Sequence, residues 1–141
     1  MHLPRRLALA SGIMFAAGAA FAQDHQEAQA QAKLAATQWL ALADAGQFGD
    51  TWDQAAAPIQ ALISKPKWVS VLQAVRTPLG SVQTRQLKSA DFTKTLPGAP
   101  DGAYVVIRFE TQFANKASAV ETLTPMKGED GAWRVSGYFI K

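Results

Sequence analysis

An α+β fold is predicted, with about three N-terminal helices packed on one face of a curved four-stranded antiparallel sheet. Three features of the sequence predict it. Apolar residues recur at helical spacing from Gln23 to Val75. From Ser81 onward the pattern changes to alternation with a period of two, clearest over Tyr104 to Phe113. Two short polar reversals, Asn115-Lys116 and Gly128 to Gly131, then divide the last third of the chain into strands. Helices first and strands afterwards is the order of an α+β domain, in which the helices cover the apolar face of the sheet.

The elements follow in order. Residues 1–22 read as a cleaved signal peptide, with Arg5-Arg6 as the basic start, Leu7 to Ala20 as the apolar stretch and Ala20-Phe21-Ala22 as the cleavage site. The apolar stretch falls short of the roughly 20 residues that a membrane span needs. The expected product is an exported, periplasmic or secreted chain, one domain over residues 23–141, with no membrane span after cleavage. Gln23 to Ala45 is rich in Ala, Gln, Glu and Lys, and places Ala28, Ala32, Ala35, Trp39 and Leu42 on one stripe, which predicts a long helix capped by Gly46. Asp50 is a candidate N-cap for a second helix, and Pro58 should kink or split that helix. A third begins at Ser64 or Lys65 with Pro66 in its first turn, and buries Trp68, Val71, Leu72 and Val75. Ser81 to Thr93 reads as a rather polar first strand at a sheet edge. Leu96 to Gly102, with two Pro and two Gly, is a loop.

Composition narrows the chemistry. Removing Arg5 and Arg6 from the 14 basic residues leaves twelve against 11 acidic ones, so the sequence pI of 9.4 partly reflects the leader. That balance argues against nucleic acid as a partner. There is no Cys, so a core and not disulfides must hold the domain. His25 is the single His after the leader, which leaves no residue set for a zinc or copper site and no base for a nucleophilic triad. Phosphate-loop glycine patterns are absent, and no cofactor is expected.

Hairpin geometry gives a register. Pairing Ala114 with Ala117 sets Glu110 opposite Glu121. Pairing Lys127 with Ala132 sets Glu121 opposite Tyr138. One face then collects Ile107, Phe109, Phe113, Val120, Trp133, Val135 and Phe139. The other collects Arg108, Glu110, Glu121, Arg134, Ser136 and Tyr138. A one-residue slip in either hairpin would mix the two faces.

Asp44-Ala-Gly-Gln47 with Trp52, Trp68 before Arg76-x-Pro78-Leu-Gly80, Leu96 to Gly102, and Asp130-Gly-x-Trp-Arg-Val-x-Gly-Tyr138 form a set of stretches. Together they resemble the domain-of-unknown-function 4019 family of exported bacterial proteins. The resemblance spans roughly Ala28 to Lys141 and implies no established activity. The order of elements is also similar to the nuclear-transport-factor-2-like (cystatin-like) superfold, a cone with a pocket between helices and sheet. That likeness is one of architecture, and architecture does not give function.

Two sets of residues are candidate sites. A pocket between helices and sheet would be lined by Trp52, Trp68, Phe109 and Trp133, with Asp53 as an ionisable group and Arg76 or Arg85 at the rim. The competing reading is an ordinary filled core, in which large aromatics are common. The outward sheet face, with Arg108, Glu110, Glu121, Arg134 and Tyr138, is a candidate homodimer interface. Glu110 and Glu121 side by side would raise one carboxyl pKa, unless the pair is part of a solvated charge network. The expected role is a non-enzymatic binding or interaction module, for an unidentified small apolar ligand or an envelope protein. The alternative is a small-pocket enzyme of ketosteroid-isomerase-like type, for which Asp53 and Tyr138 are the available acids.

Overall fold

The computed structural model describes residues 17–141, with side chains from His25 on. Helix α1 (Ala17–Asp44) is followed by two short helices, α2 (Phe48–Asp53) and α3 (Ala57–Leu62), then by α4 (Lys65–Arg76) and a 3-10 turn (Thr77–Leu79). Strands β1 (Val82–Thr93), β2 (Tyr104–Phe113), β3 (Lys116–Lys127) and β4 (Trp133–Ile140) form one antiparallel sheet in the order β1-β2-β3-β4. This is the expected α+β arrangement, with helices against one face of the sheet. The predicted leader lies outside the described residues, apart from the helical backbone from Ala17 on. No described helix is long and apolar enough to cross a membrane.

The helices form for the local reasons the sequence offers. Gly46 ends α1 with φ 76°, a left-handed conformation that glycine adopts without a Cβ penalty. Pro58 splits the second helical stretch, because it sits in the first turn of α3, where a missing N–H costs nothing. Ser64 caps α4 by accepting a hydrogen bond from the Lys67 amide, and Pro66 follows in the first turn. On α1 the small residues Ala32, Ala36 and Ala43 let the helix approach the sheet closely, and Trp39 and Leu40 fill the space between them. They pack on Val105, Ile107, Phe109, Leu123 and Val135. The α4 stripe is narrower than expected. Leu72 and Arg76 are buried, whereas Val71 and Val75 are exposed.

The sheet departs from the expected register. The first hairpin turns at Ala114-Asn115, so Phe113 faces Lys116, and an extra residue of β3 opposite Gln112 then sets Glu110 against Val120 and Phe109 against Glu121. A tertiary contact holds the turn there. The Ala114 amide donates to the Ser81 carbonyl, the Asn115 amide to Leu79, and the Asn115 side chain to Pro78. Asn115 therefore docks on the segment after α4 and needs no left-handed backbone. The second hairpin is a five-residue loop between Lys127 and Trp133. An extra residue in β4 lies opposite the stretch between Leu123 and Pro125. Pro125 cannot donate to the ladder, and a bulge is where a strand tolerates that. The bulge turns both Val135 and Tyr138 toward the helices.

These shifts correct the predicted faces. Glu121 and Tyr138 lie on the helix side of the sheet, and Val120 and Phe139 on the outer side. Outside, Lys88 pairs with Glu110 at 3.1 Å, and Arg108 stands 3.8 Å from Asp91. Arg134 pairs with Asp130 within the hairpin. The edge of β4 is partly covered, because the Ala56 amide donates to the Val135 carbonyl.

Gly80 shows how tightly the α4–β1 connection is held. Its backbone, φ 75° and ψ −165°, lies in a region that is nearly exclusive to glycine, and an added Cβ would stand 3.0 Å from the Ala114 methyl. Gly80→Ala should cost about 1–3 kcal/mol. Gly46→Ala has a similar φ but open space around it, and should cost less. Urea titrations of the two variants test the order. Equal losses would mean that the contact with Ala114 contributes nothing.

Candidate functional site

The covered face of the sheet is divided between a closed polar cluster at one end and an open mouth at the other. The closed end starts from Glu121. Placing it opposite Phe109 buries its side chain completely. A carboxylate at that depth costs several kcal/mol unless donors surround it. Four donor contacts converge on it. Thr111 donates to Oε1 and Tyr138 to Oε2, both through their hydroxyls. Arg85 donates through Nε to Oε1 at 2.8 Å and through Nη2 to Oε2 at 3.3 Å.

The cluster extends to the helices. Arg85 also holds Asp44 through Nη1 at 2.7 Å and Nη2 at 3.0 Å. Arg76, buried at the end of α4, donates to Asp44 at 2.7 Å and lies over the Phe113 ring. Asp44 is the last residue of α1, where a negative charge opposes the helix dipole. The two guanidinium groups answer that charge. Burial pushes the Asp44 carboxyl up, but hydrogen bonds from Arg85 and Arg76 outweigh it and hold its pKa below the ordinary value. Burial also disfavours the charged Arg85, and its bonds to Asp44 and Glu121 more than offset this. Burial first, then the Glu121 charge, pushes the Tyr138 hydroxyl well above its ordinary pKa, and Arg76 partly opposes the shift. No buried side-chain N or O among the described residues lacks a hydrogen-bond partner.

Trp39 forms the wall between this cluster and the helices. Its ring meets Tyr138 edge-on at 4.9 Å and Trp68 at 6.3 Å. Its Nε1 donates to the Thr51 carbonyl, and Trp68 Nε1 donates to the Thr51 hydroxyl, each at 2.9 Å.

The open end is a groove of about 790 Å³ between α1 and the near ends of the strands. Its walls include His25, Leu34 and Gln38 from α1, and Phe92, Lys94, Lys127 and Trp133 from the sheet side. A second groove of about 530 Å³ lies on the other side of Trp133, and its lining includes Trp39, Asp50, Asp53 and Gln54.

The predicted pocket residues thus scatter. Trp133 lines both grooves, and Asp53 lines the second while pairing with Lys65 at 2.8 Å. Phe109 is core. Trp68 packs on Trp39, and Trp52 donates to the Ile63 carbonyl at 3.0 Å. Arg76 and Arg85 are not rim groups, because both are engaged in the buried cluster. Of the five outward-face candidates, Arg108, Glu110 and Arg134 lie on the outer side or at its hairpin, and Glu121 and Tyr138 do not. The ionisable groups that do face the first groove, His25, Glu27, Lys94 and Lys127, stand outside both predicted sets. Among the described residues, no three His, Cys, Asp or Glu side chains are placed to hold a metal ion.

Comparison with known proteins fits this geometry to one family. The family described as "Protein of unknown function (DUF4019)" matches residues 35–138. The chain belongs to the DUF4019 family. The match takes in Asp44, Arg76, Arg85, Thr111, Glu121 and Tyr138, so the whole cluster lies within this DUF4019 domain. Neither the curated proteins nor the solved structures give a match, and the likeness to the nuclear-transport-factor-2-like superfold gains no support from them.

Glu121→Ala would leave Arg85 buried without its deeper partner, and should destabilise the domain by about 3–5 kcal/mol in denaturant titration. The pH profile of stability follows from two groups. Asp44 has its pKa lowered on folding, so its contribution is present above 3.8 and lost as pH falls through the folded value. Tyr138 has its pKa raised, so its contribution is full below 10.0 and lost as pH rises toward the folded value. Thermal melts should therefore show a plateau between about pH 5 and 9. Tyr138→Phe should lower that plateau and flatten the alkaline fall. An unchanged alkaline limb in the variant would show that another group causes it.

Proposed function

We propose that the protein is an exported, non-enzymatic binding module that holds a small ligand in the groove between α1 and the mouth of the sheet. The groove carries this reading. Its volume, about 790 Å³, lies within the range of small-molecule sites, and its walls combine apolar side chains such as Leu34, Phe92 and Trp133 with polar ones such as Gln31, Gln38, Lys94 and Lys127. Trp133 is the largest of the four residues shared by both grooves, the others being Ala35, Gln38 and Ala132. Export is supported by the leader read over residues 1–22.

The interior ionisable groups favour binding over ketosteroid-isomerase-like catalysis. An acid–base catalyst must reach its substrate within hydrogen-bonding distance. Glu121 and Tyr138 donate and accept within their own cluster, and neither lines a groove.

Native mass spectrometry of the protein, purified from the cells that produce it, tests the reading. The expected spectrum shows the protomer plus a few hundred daltons. Ala132→Trp, which places a bulky ring in the groove wall, should remove the added mass without lowering the melting temperature by more than a few degrees. A bare protomer mass from native cells, together with no uptake of any amphiphile offered, would sink the proposal.

A further inference from the structure

The strand ends place charges in the groove. The Lys127 amide donates to the Ala103 carbonyl, and the Gly102 amide donates to the Lys94 carbonyl, each at 3.0 Å. Lys127 also faces Trp133 across the β3–β4 ladder. Lys94 thus lies just past the end of β1, Ala103 just before β2, and Lys127 at the end of β3 opposite Trp133, and all four line the groove beside α1. Neighbouring strands lie about 4.8 Å apart, so the two lysine backbones are roughly 10 Å apart, with an alanine between them. Their side chains are exposed, and neither forms an ion pair among the described residues.

The row inward of these residues is apolar. Phe92 pairs with Val105 in the β1–β2 ladder, and Pro125 pairs with Val135 in the β3–β4 ladder. Across from them, Leu34 of α1 is 54% exposed and lines the groove. An apolar side chain so exposed, facing Phe92 and Trp133 across an open groove, is surface that a ligand's hydrocarbon would cover. Among the described residues, the one acidic side chain lining this groove is Glu27, against two lysines.

We infer that the groove takes an amphipathic anion, an acyl-type chain whose anionic head lies between Lys94 and Lys127 and whose hydrocarbon lies along Leu34, Phe92 and Trp133. The inference rests on the groove being a ligand site, and adds the ligand's class. Two flexible ammonium groups flanking a small residue leave room for a compact head and give it charge from both sides. The apolar row behind them supplies affinity in proportion to the hydrocarbon it covers. A neutral apolar molecule would gain the second contribution alone. A small anion would gain the first alone.

Calorimetry with dodecanoate, dodecanol and acetate, each below its aggregation concentration, tests this on the protein as its own cell processes it. Dodecanoate should bind on the order of tenfold tighter than dodecanol, and acetate should not bind measurably. Raising the salt concentration should narrow the difference between the two long-chain probes. The double variant Lys94→Gln, Lys127→Gln should abolish the preference for dodecanoate and leave dodecanol binding unchanged. Glu27→Gln should tighten dodecanoate binding, which is a gain that misfolding cannot imitate. Equal affinity for dodecanoate and dodecanol overturns the anionic class and leaves the groove as a ligand site. Binding of neither long-chain probe overturns both readings. Binding to anionic phosphatidylglycerol vesicles with none to monomeric dodecanoate also overturns the inference, because the ligand would then be a membrane surface.

Discussion

Burial of Glu121 is the constraint that the other elements meet. A carboxylate on the covered face of a sheet is tolerated only when donors reach it from several directions. Here they come from β1 through Arg85, from β2 through Thr111 and from β4 through Tyr138. Arg85 is then held from its other side by Asp44, and Asp44 by Arg76, which draws in the ends of α1 and α4. Two guanidinium and two carboxylate groups close the cluster electrically. Its geometry fixes where each helix stops relative to the sheet, because each charge depends on the next. A hydrophobic replacement of the whole set could be equally stable. The loss of any single member is what the fold resists.

The cluster also determines where the layer between helices and sheet is open. Polar groups that satisfy one another fill the space near Glu121, and Trp39 seals it from the helices through its contacts with Tyr138 and Trp68. The opening is displaced along α1 to the near ends of the strands, where the side chains are alanine, lysine and Trp133. The closed and the open parts of the layer therefore occupy its opposite ends. Sites held on strands next to a packed core are better defined than sites on loops.

Much of the fold was legible because its signals are local. Gly46, Pro58 and the Ser64–Pro66 pair each dictate a helix end through their own backbone chemistry, and the helix boundaries follow them. The register was not legible, because it depends on contacts between distant segments. Asn115 suits a left-handed turn position, but it is fixed instead by Pro78 and Leu79, far away in sequence. The β3 pattern was ambiguous in itself. Either register puts one unsuitable residue inside or outside, with Glu121 against Val120. Burial of Glu121 becomes readable only when Arg76 and Arg85 are recognised as cations that need interior partners. Pro125 was the available sign that the pairing with β4 is irregular, and the bulge beside it is what brings Tyr138 inward.

The register that buries Glu121 also builds the mouth of the groove. Side chains along β3 alternate, so turning Glu121 inward turns Leu123, Pro125 and Lys127 the same way. In the alternative register Val120, Thr122, Thr124 and Met126 would face the helices, and Lys127 would point outward. The groove would lose one of its two cations, and its charge would fall to that of Lys94 against Glu27. The buried carboxylate and the exposed lysine are thus one choice, made where the extra residue of β3 opposite Gln112 shifts the pairing after the Ala114-Asn115 turn. A chain selected only for stability would have had a simpler solution, with Val120 inside and Glu121 in water. The arrangement costs desolvation at one end of the strand and turns a charged side chain into the groove at the other.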